Sequence, residues 1–549
     1  MSSCPHRDSK QASYTRHVRN VNYIWWRIFD AESLVRAMDG SYRLPSLSGN
    51  LSLHLPYFPP LPFHSVRPSA TIRHLAFQFI LLAGIRAQPH DVFVTVDDSR
   101  PGQTIPEDFL GFSYEKNVLA LDHFKPSNEA MIRLMRHLGK GNLRFGGNYV
   151  EITRYLPGEP KVFSNHGSVI GPRELEDMYQ FAKDSGWTVI HGLNLGANDP
   201  AMAAVEAAEA LRVGGDTLIA FEIGNEPEHY GNKWRPADYS YQDFSGEISN
   251  YLEVMRPKVP RIPLCGPGTT SNFPWFTGFI RDFRSDLVIT TRHNYPLAAA
   301  TNDRKHPRFA TIENLLSPTT AAEWRKLIGQ HQKASKAAGV PFRVTEAGSA
   351  SSGGKAGVSD VFASALWAAD YLFDLAELGV AGVNFHGSFN CRGYTSFCAA
   401  KNGGYHVHGN YYGMLFFRQA AQGRVIPLKL TGNGVNLTSH ATLGEDGTLR
   451  VALINKDLGK SARVGIDPGK PSGQASVMRL TAPSVNAKTG ITLGGSGVAS
   501  DGTWNPKPPE TISASDGKFQ IDVPAASAAL LVIGRGELTP VSEKGNPQN

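Results

Sequence analysis

The chain has 549 residues, 41% of them hydrophobic, with 55 glycines, 36 prolines and a formal net charge of +6. That length exceeds one ordinary domain and can bury a large core, and its glycine and proline content implies many loops without low complexity. The charge is mild and forms no long Lys/Arg run, which argues against a nucleic-acid partner.

Residues 1–70 show no sustained periodicity and hold a proline cluster at Pro56, Pro59, Pro60 and Pro62. The segment 1–87 therefore reads as a disordered leader. Within it, Arg73-His74 precedes an apolar run over 75–84, and small residues follow to Ala87. A basic flank, about ten apolar residues and a small-residue end have the form of a secretory signal cut after Ala87. The run is short for a membrane span, and no other run is long enough. Its internal position implies a start codon placed too early; otherwise the run is a buried segment. A signal there makes the protein secreted.

Residues 91–96 alternate like a strand, and 91–108 is expected to join strands from the far C-terminus. Strands are then predicted at 109–115, 142–147, 188–195, 218–223, 262–266, 287–295, 342–346 and 381–386. Helices are predicted between and after them at 129–138, 172–185, 200–211, 241–255, 273–283, 321–338, 361–378 and 411–421; the 361–378 helix reads as strongly amphipathic. Eight strand–helix units argue for an α/β fold, a (β/α)8 TIM barrel over 109–423. The alternative is a doubly wound sheet, weakened because no GxGxxG or Walker-A loop follows the first strand. From residue 424 the pattern changes to short strands at 425–430, 436–442, 449–455, 462–466, 475–480, 490–493, 519–523 and 528–533. This is an accessory all-β sandwich over 424–536, followed by a polar tail, 537–549, expected to fray.

The four cysteines are Cys4, Cys265, Cys391 and Cys398, and no pair has zinc-type spacing. Cys391 and Cys398 bracket a short polar loop and could close a disulfide in an oxidising compartment. Cys265 reads as a small buried hydrophobe. Asn436-Leu437-Thr438 fits an N-glycosylation acceptor.

Two stretches share one shape. Phe221-Glu222-Ile223-Gly224-Asn225-Glu226-Pro227-Glu228 and Phe342-Arg343-Val344-Thr345-Glu346-Ala347-Gly348 each begin as a buried strand and end in a carboxyl group. A carboxyl at that place is costly unless it has work to do. The bland reading is a pair with a neighbouring Arg, such as Arg343. In a TIM barrel the site lies at the C-terminal strand ends, and strands 4 and 7 face each other across the ring. Glu226 and Glu346 would then form the carboxylate pair of a glycosidase, and a spacing of about 5–5.5 Å would imply retention through a covalent intermediate. The other polar residues at strand ends are Tyr114, Glu115, Asn148, Asn194, Asn225, His293, Asn294, Tyr295 and His386. No Ser-His-Asp elbow, paired metal histidines or cofactor loop competes with this set, so neither metal nor organic cofactor is expected.

Asn225-Glu226-Pro227 on strand 4 and Glu346 on strand 7 resemble the clan A retaining glycosidases. Finer features resemble glycoside hydrolase family 79, the β-glucuronidases related to heparanase. They are Phe112-Ser113-Tyr114-Glu115, Arg144-Phe145-Gly146-Gly147-Asn148, the segment 221–227, His293-Asn294-Tyr295-Pro296 and Thr345-Glu346-Ala347-Gly348. The resemblance spans roughly 91–536. It implies Glu226 as acid/base, Glu346 as nucleophile and Asn225 on the sugar 2-hydroxyl. It also implies Tyr295 holding the nucleophile and Glu115 binding sugar hydroxyls. In that family the loop after the nucleophile helps to read the uronate and carries a tyrosine; here the loop is Ser349-Ala350-Ser351-Ser352-Gly353-Gly354-Lys355, with none. Ser351, Ser352 and Lys355 are the expected replacements. Tyr114, Arg144, Asn148, His293 and His386 are expected as support. Blander roles are a Glu115–Arg144 pair, histidines that only orient neighbours, and rim packing for Tyr295.

The expected activity is hydrolysis of β-glucuronides at a terminal glucuronic acid. The alternatives are an arabinofuranosidase, a heparanase-like endo-enzyme, or a sugar-binding barrel without turnover.

Overall fold

The structure, a computed structural model, describes residues 90–534 apart from 402 and 471. The leader 1–87 with its apolar run, and the tail 537–549, lie outside the described residues. Strand β1 (His90–Val96) opens the described chain. Eight strands follow: β2 (Leu110–Glu115), β3 (Gly141–Gly146), β4 (Trp187–Leu193), β5 (Leu218–Ile223), β6 (Leu264–Thr269), β7 (Leu287–Asn294), β8 (Phe342–Ala347) and β9 (Gly382–Gly387). They are parallel, pair in sequence order and close as β9 pairs with β2, making an eight-stranded barrel. Each crossover carries a helix. Those of Pro172–Ser185, Pro200–Gly214 and Pro318–Ala337 begin on a proline, whose missing N–H costs nothing in a first turn.

The barrel helix Ala363–Glu377 differs from expectation. Every residue from Ala363 to Ala376 is buried. Its apolar side packs on the barrel, where Trp367 and Tyr371 lie against Phe385. Asp370 and Glu377 face the β domain instead of water, while Asp374 accepts from Trp324 and Arg325 of the helix Pro318–Ala337. Asp370 accepts from Lys456 Nζ at 2.6 Å and Thr438 Oγ1 at 2.5 Å, and Glu377 lies 2.6 Å from His440 Nδ1. A polar stripe looks amphipathic in sequence whether water or a second domain meets it.

The β domain is two packed sheets. One orders Leu428–Thr431, β1, Ala462–Asp467 and Phe519–Val523, so the leading strand is built into the C-terminal domain. The other orders Arg424–Ile426, Leu437–Leu443, Leu449–Asn455, Ser527–Ile533, Gln474–Thr481 and Thr492–Leu493. Val92, Val94, Leu453, Val464, Ile521 and Leu531 meet between the sheets. Ser527–Ile533 is buried on both faces, because Leu530 and Val532 turn to the barrel side. The predicted strand 425–430 is two strands in different sheets. Pro427 divides them: it has no N–H for a ladder, while its carbonyl accepts from Asp97. The strand expected over 490–493 shrinks to Thr492–Leu493, and Glu510–Ser513 is an extra edge strand on Gln474–Thr481.

Candidate active site

Glu346 sits inside β8, and Glu226 lies just beyond β5. Glu226 has φ 49°, an unusual conformation for a residue with a side chain. Between Val344 and Glu346 the pairing of β8 with β7 slips by one residue. The bulge re-aims the strand, so Thr345 and Glu346 both reach inner partners. Thr345 meets Glu222 at 3.5 Å and Glu346 meets Arg144 at 2.8 Å. Arg343 does not pair with either candidate glutamate. It donates to Asn384 Oδ1 and to carbonyls of 108–110.

Glu346 is held from both sides. Tyr295 donates its hydroxyl to Oε1 at 2.5 Å, and Arg144 donates to Oε2. His386 and His293 lie 3.6 and 3.9 Å from Oε2. Burial alone would raise this carboxyl; His386, His293, Arg144 and Tyr295 outweigh it and hold it well below the usual carboxylate range. His293 Nδ1 is 2.8 Å from Glu226 Oε1. Donor atoms of Glu226, His293 and Glu346 all lie within 4.8 Å of one another, close enough to ligate a metal ion. Arg144 already supplies Glu346 with a fixed positive charge, so a dication here would face a guanidinium.

Arg144 is the fully buried hub. It donates to Glu222 at 2.7 Å, Asn225 Oδ1 at 2.8 Å and Ser113 at 3.1 Å as well as to Glu346. Burial disfavours its charge, but Glu222 and Glu346 more than compensate and raise its pKa. Space for it comes from Gly146, where a Cβ would sit 2.6 Å from the guanidinium carbon. Arg144 therefore does not pair with Glu115. Glu115 accepts from Tyr149 N at 2.7 Å and lies 3.6 Å from His386 Nε2. Burial pulls the His386 pKa down, yet Glu346 and Glu115 prevail and raise it. Tyr114 is packed among Phe389, Phe124 and Phe145, and Asn148 is exposed at the rim. Asn194 serves the scaffold, donating to Thr153 O.

Past Glu346 the loop is fixed by backbone pairing. Ala350–Ser351 pairs with Leu297–Ala298, Ser352 is exposed, and the Lys355 N–H donates to Ser359. Among the described residues, none of Ser351, Ser352 and Lys355 is hydrogen-bonded to Glu226 or Glu346. Tyr394 lies against this loop: its N–H donates to Gly353 O, and its ring centroid is 5.6 Å from that of Tyr295. Gly348 admits both rings, since a Cβ there would come within 2.8 Å of each. Burial and the Glu346 charge raise the Tyr394 pKa. Cys391 and Cys398 are bonded to each other around this segment. Cys265 is free and buried. Asn436 of the glycosylation triplet is half-buried and donates to Leu316 O, while Thr438 is taken by Asp370. A glycan acceptor has to be presented to solvent, and this one is occupied at the domain junction.

Sequence reasoning missed Glu222, Glu151 and Tyr394. Glu222 left a signal, a lone charge inside an apolar strand. Glu151 and Tyr394 lie in irregular segments without one.

A family model described as the glycosyl hydrolase family 79 C-terminal beta domain matches residues 439–530. The chain is 25% identical over 446 residues to a β-glucuronidase of Aspergillus niger, covering 71% of this chain and 80% of that one. It is 26% identical over 365 residues to a β-glucuronidase of Neurospora crassa, covering 57% and 63%. Among solved structures it resembles a 4-O-α-L-rhamnosyl-β-D-glucuronidase of Fusarium oxysporum with TM-score 0.69 and 20% identity, covering 80% of this chain and 99% of that one. A family 51 arabinofuranosidase of Xanthomonas axonopodis has the same fold with TM-score 0.62 and 17% identity, covering 81% and 100%. The matching β domain and the β-glucuronidase relatives together support a glycosidase built from a TIM barrel and a β domain. Among the described residues no helix is long and apolar enough to cross a membrane.

Proposed function

We propose that this glycoside hydrolase is a secreted, exo-acting β-glucuronidase that retains configuration and takes terminal glucuronic acid from glycans or glycoconjugates. The observation that carries the reading is the approach of two carboxyl groups: an oxygen of Glu226 lies within 4.8 Å of one of Glu346. Retaining glycosidases hold this pair about 5–5.5 Å apart, and inverting ones leave about 6.5–9.5 Å for a water. The β-glucuronidase relatives support the sugar, and the apolar run at 75–84 supports secretion.

In this reading the Glu346 carboxylate attacks the anomeric carbon while Glu226 gives its proton to the glycosidic oxygen. The carbon–oxygen bond breaks, the aglycone leaves as an alcohol, and a glycosyl ester on Glu346 remains. Glu226, now a carboxylate, takes a proton from water as that water attacks the same carbon and frees Glu346. His293 orients Glu226 through the 2.8 Å contact. Arg144 fixes the Asn225 carbonyl, which leaves the amide nitrogen to donate to the 2-hydroxyl. Glu115 accepts from the sugar hydroxyls. The uronate carboxylate, stripped of water on entry, is met by backbone N–H groups of 349–355 with Ser351, Ser352 and Lys355.

A panel of nitrophenyl glycosides with NMR of the first-formed anomer tests this. Glucuronide cleavage with β-glucuronic acid appearing first is expected. First-formed α-anomer would overturn retention, pentoside cleavage would favour an arabinofuranosidase, and binding without turnover would leave a lectin-like barrel.

A further inference from the structure

Glu151 is a buried carboxyl that the proposed reaction does not use; only 3% of it is exposed. It follows β3 in the 3-10 turn Asn148–Ile152. Four donors converge on it. Oε1 accepts from Asn225 N at 2.8 Å and from the Tyr230 hydroxyl. Oε2 accepts from Gly196 N at 2.5 Å and Leu195 N at 3.1 Å. Burial lifts this carboxyl to about 7, against the pull of those donors, and the Tyr230 hydroxyl can donate to one form or accept from the other.

The donors belong to two loops, the one after β4 and the one after β5 that carries Asn225 and Glu226. The second loop needs bracing. Gly224 has φ 82° and Glu226 φ 49°, and a strained residue persists only where its surroundings over-determine it. On one side Glu226 N donates to Gly268 O at 3.2 Å. On the other, the Asn225 N–H is fastened to Glu151 and the Asn225 side chain to Arg144.

We propose that Glu151 is a positioning residue for the glycosidic reaction: through Asn225 and Tyr230 it sets where the Glu226 carboxyl meets the leaving oxygen. This rests on the reading of Glu226 as acid/base. Displacing a general acid slows most those substrates whose leaving group needs the proton. A small misplacement costs up to about a hundredfold in rate.

The substitution Glu151→Gln keeps the shape but turns an amide NH2 either toward the Asn225 N–H and Tyr230 hydroxyl or toward the Leu195 and Gly196 N–H pair, since N–H donors lie on both sides. The test is kcat and KM on nitrophenyl and phenyl glucuronide for the wild type, Glu151→Gln, Tyr230→Phe and Glu226→Gln, with melting temperatures. Expected for Glu151→Gln is a fall in kcat of about ten- to a hundredfold on the phenyl substrate, a several-fold smaller fall on the nitrophenyl one, and little change in KM. Tyr230→Phe, which keeps the carboxylate, should show the same pattern more weakly, and it carries the test if Glu151→Gln does not fold. Equal losses on both substrates, or none, with Glu226→Gln still dependent on the leaving group, would overturn the positioning role alone. A Glu226→Gln variant without leaving-group dependence would overturn both readings.

Discussion

Tyr295→Phe isolates one bond to the proposed nucleophile. The ring stays and packs as before, while Glu346 Oε1 loses a donor at 2.5 Å. A hydrogen bond to a charged group contributes about 1.5–3 kcal/mol, and one pKa unit corresponds to about 1.4 kcal/mol. The Glu346 pKa should therefore rise by about one to two units. The sign follows from which form the donor favours. Tyr295 stabilises the carboxylate, so losing it favours the neutral acid, and the acid limb of kcat/KM moves to higher pH. Arg144, His386 and His293 stay in place and keep Glu346 ionised near neutrality. The plateau should also fall by about tenfold or more, because a carboxylate held at one oxygen loses orientation. Rate–pH profiles on a nitrophenyl glucuronide, with a melting curve to exclude unfolding, measure both. An unmoved acid limb, or a loss confined to KM, would refute the role given to Tyr295.

The proposed pair predicts complementary rescue: azide should give a β-glycosyl azide with Glu226→Ala and an α-glycosyl azide with Glu346→Gly, read by NMR; the same anomer from both would remove the assignment. If the 349–355 loop reads the uronate, Ser351→Ala, Ser352→Ala or Lys355→Ala should lower glucuronide kcat/KM by about ten- to a hundredfold with much less effect on the glucoside; parallel losses on both sugars would clear the loop of that role. At the domain junction, burial opposes the charge on His440, but Glu377 and Asp370 prevail and raise its pKa to about 10. Its contribution is complete below about 6.5 and is lost as pH rises to about 10, at most a few kcal/mol. His440→Gln should be less stable than the wild type at pH 6 and should narrow that gap by pH 10, by denaturant titration. Secreted protein should begin near Gln88 by N-terminal sequencing; a mature chain that retains residues 1–74 would make the apolar run something other than a signal.

The barrel was legible because most of its strands carry an apolar run that ends in polar residues, and both properties are local. The ranges read for Leu218–Ile223 and Tyr241–Met255 match the structure at both ends. Errors arose where a second partner decides. Asp370 and Glu377 belong to a polar stripe that water could have covered equally well; only the three-dimensional arrangement brings Lys456 and His440 there. Pro427 went unread inside the single strand expected over 425–430, because which sheet each half joins is decided by distant partners.

The site shows the same division one level deeper. Glu226 and Glu346 stand out because a carboxyl after a buried strand is rare without a task, and the motif around each is contiguous. What makes them unequal is not contiguous. Glu346 is held ionised by Arg144 from β3, His293 and Tyr295 from β7 and its loop, and His386 from β9. Arg144 in turn needs Glu222, without which two opposed demands on one guanidinium, Glu346 and Asn225, would rest on a buried charge with less compensation. A sequence motif can therefore nominate a pair of carboxylates, but the division of labour proposed for them depends on the side chains that three other strands, β3, β7 and β9, bring to Glu346. That predicts where the proposed division can be disturbed without touching either glutamate: at Glu222 and Tyr295 for the proposed nucleophile, and at Glu151 and His293 for the proposed acid.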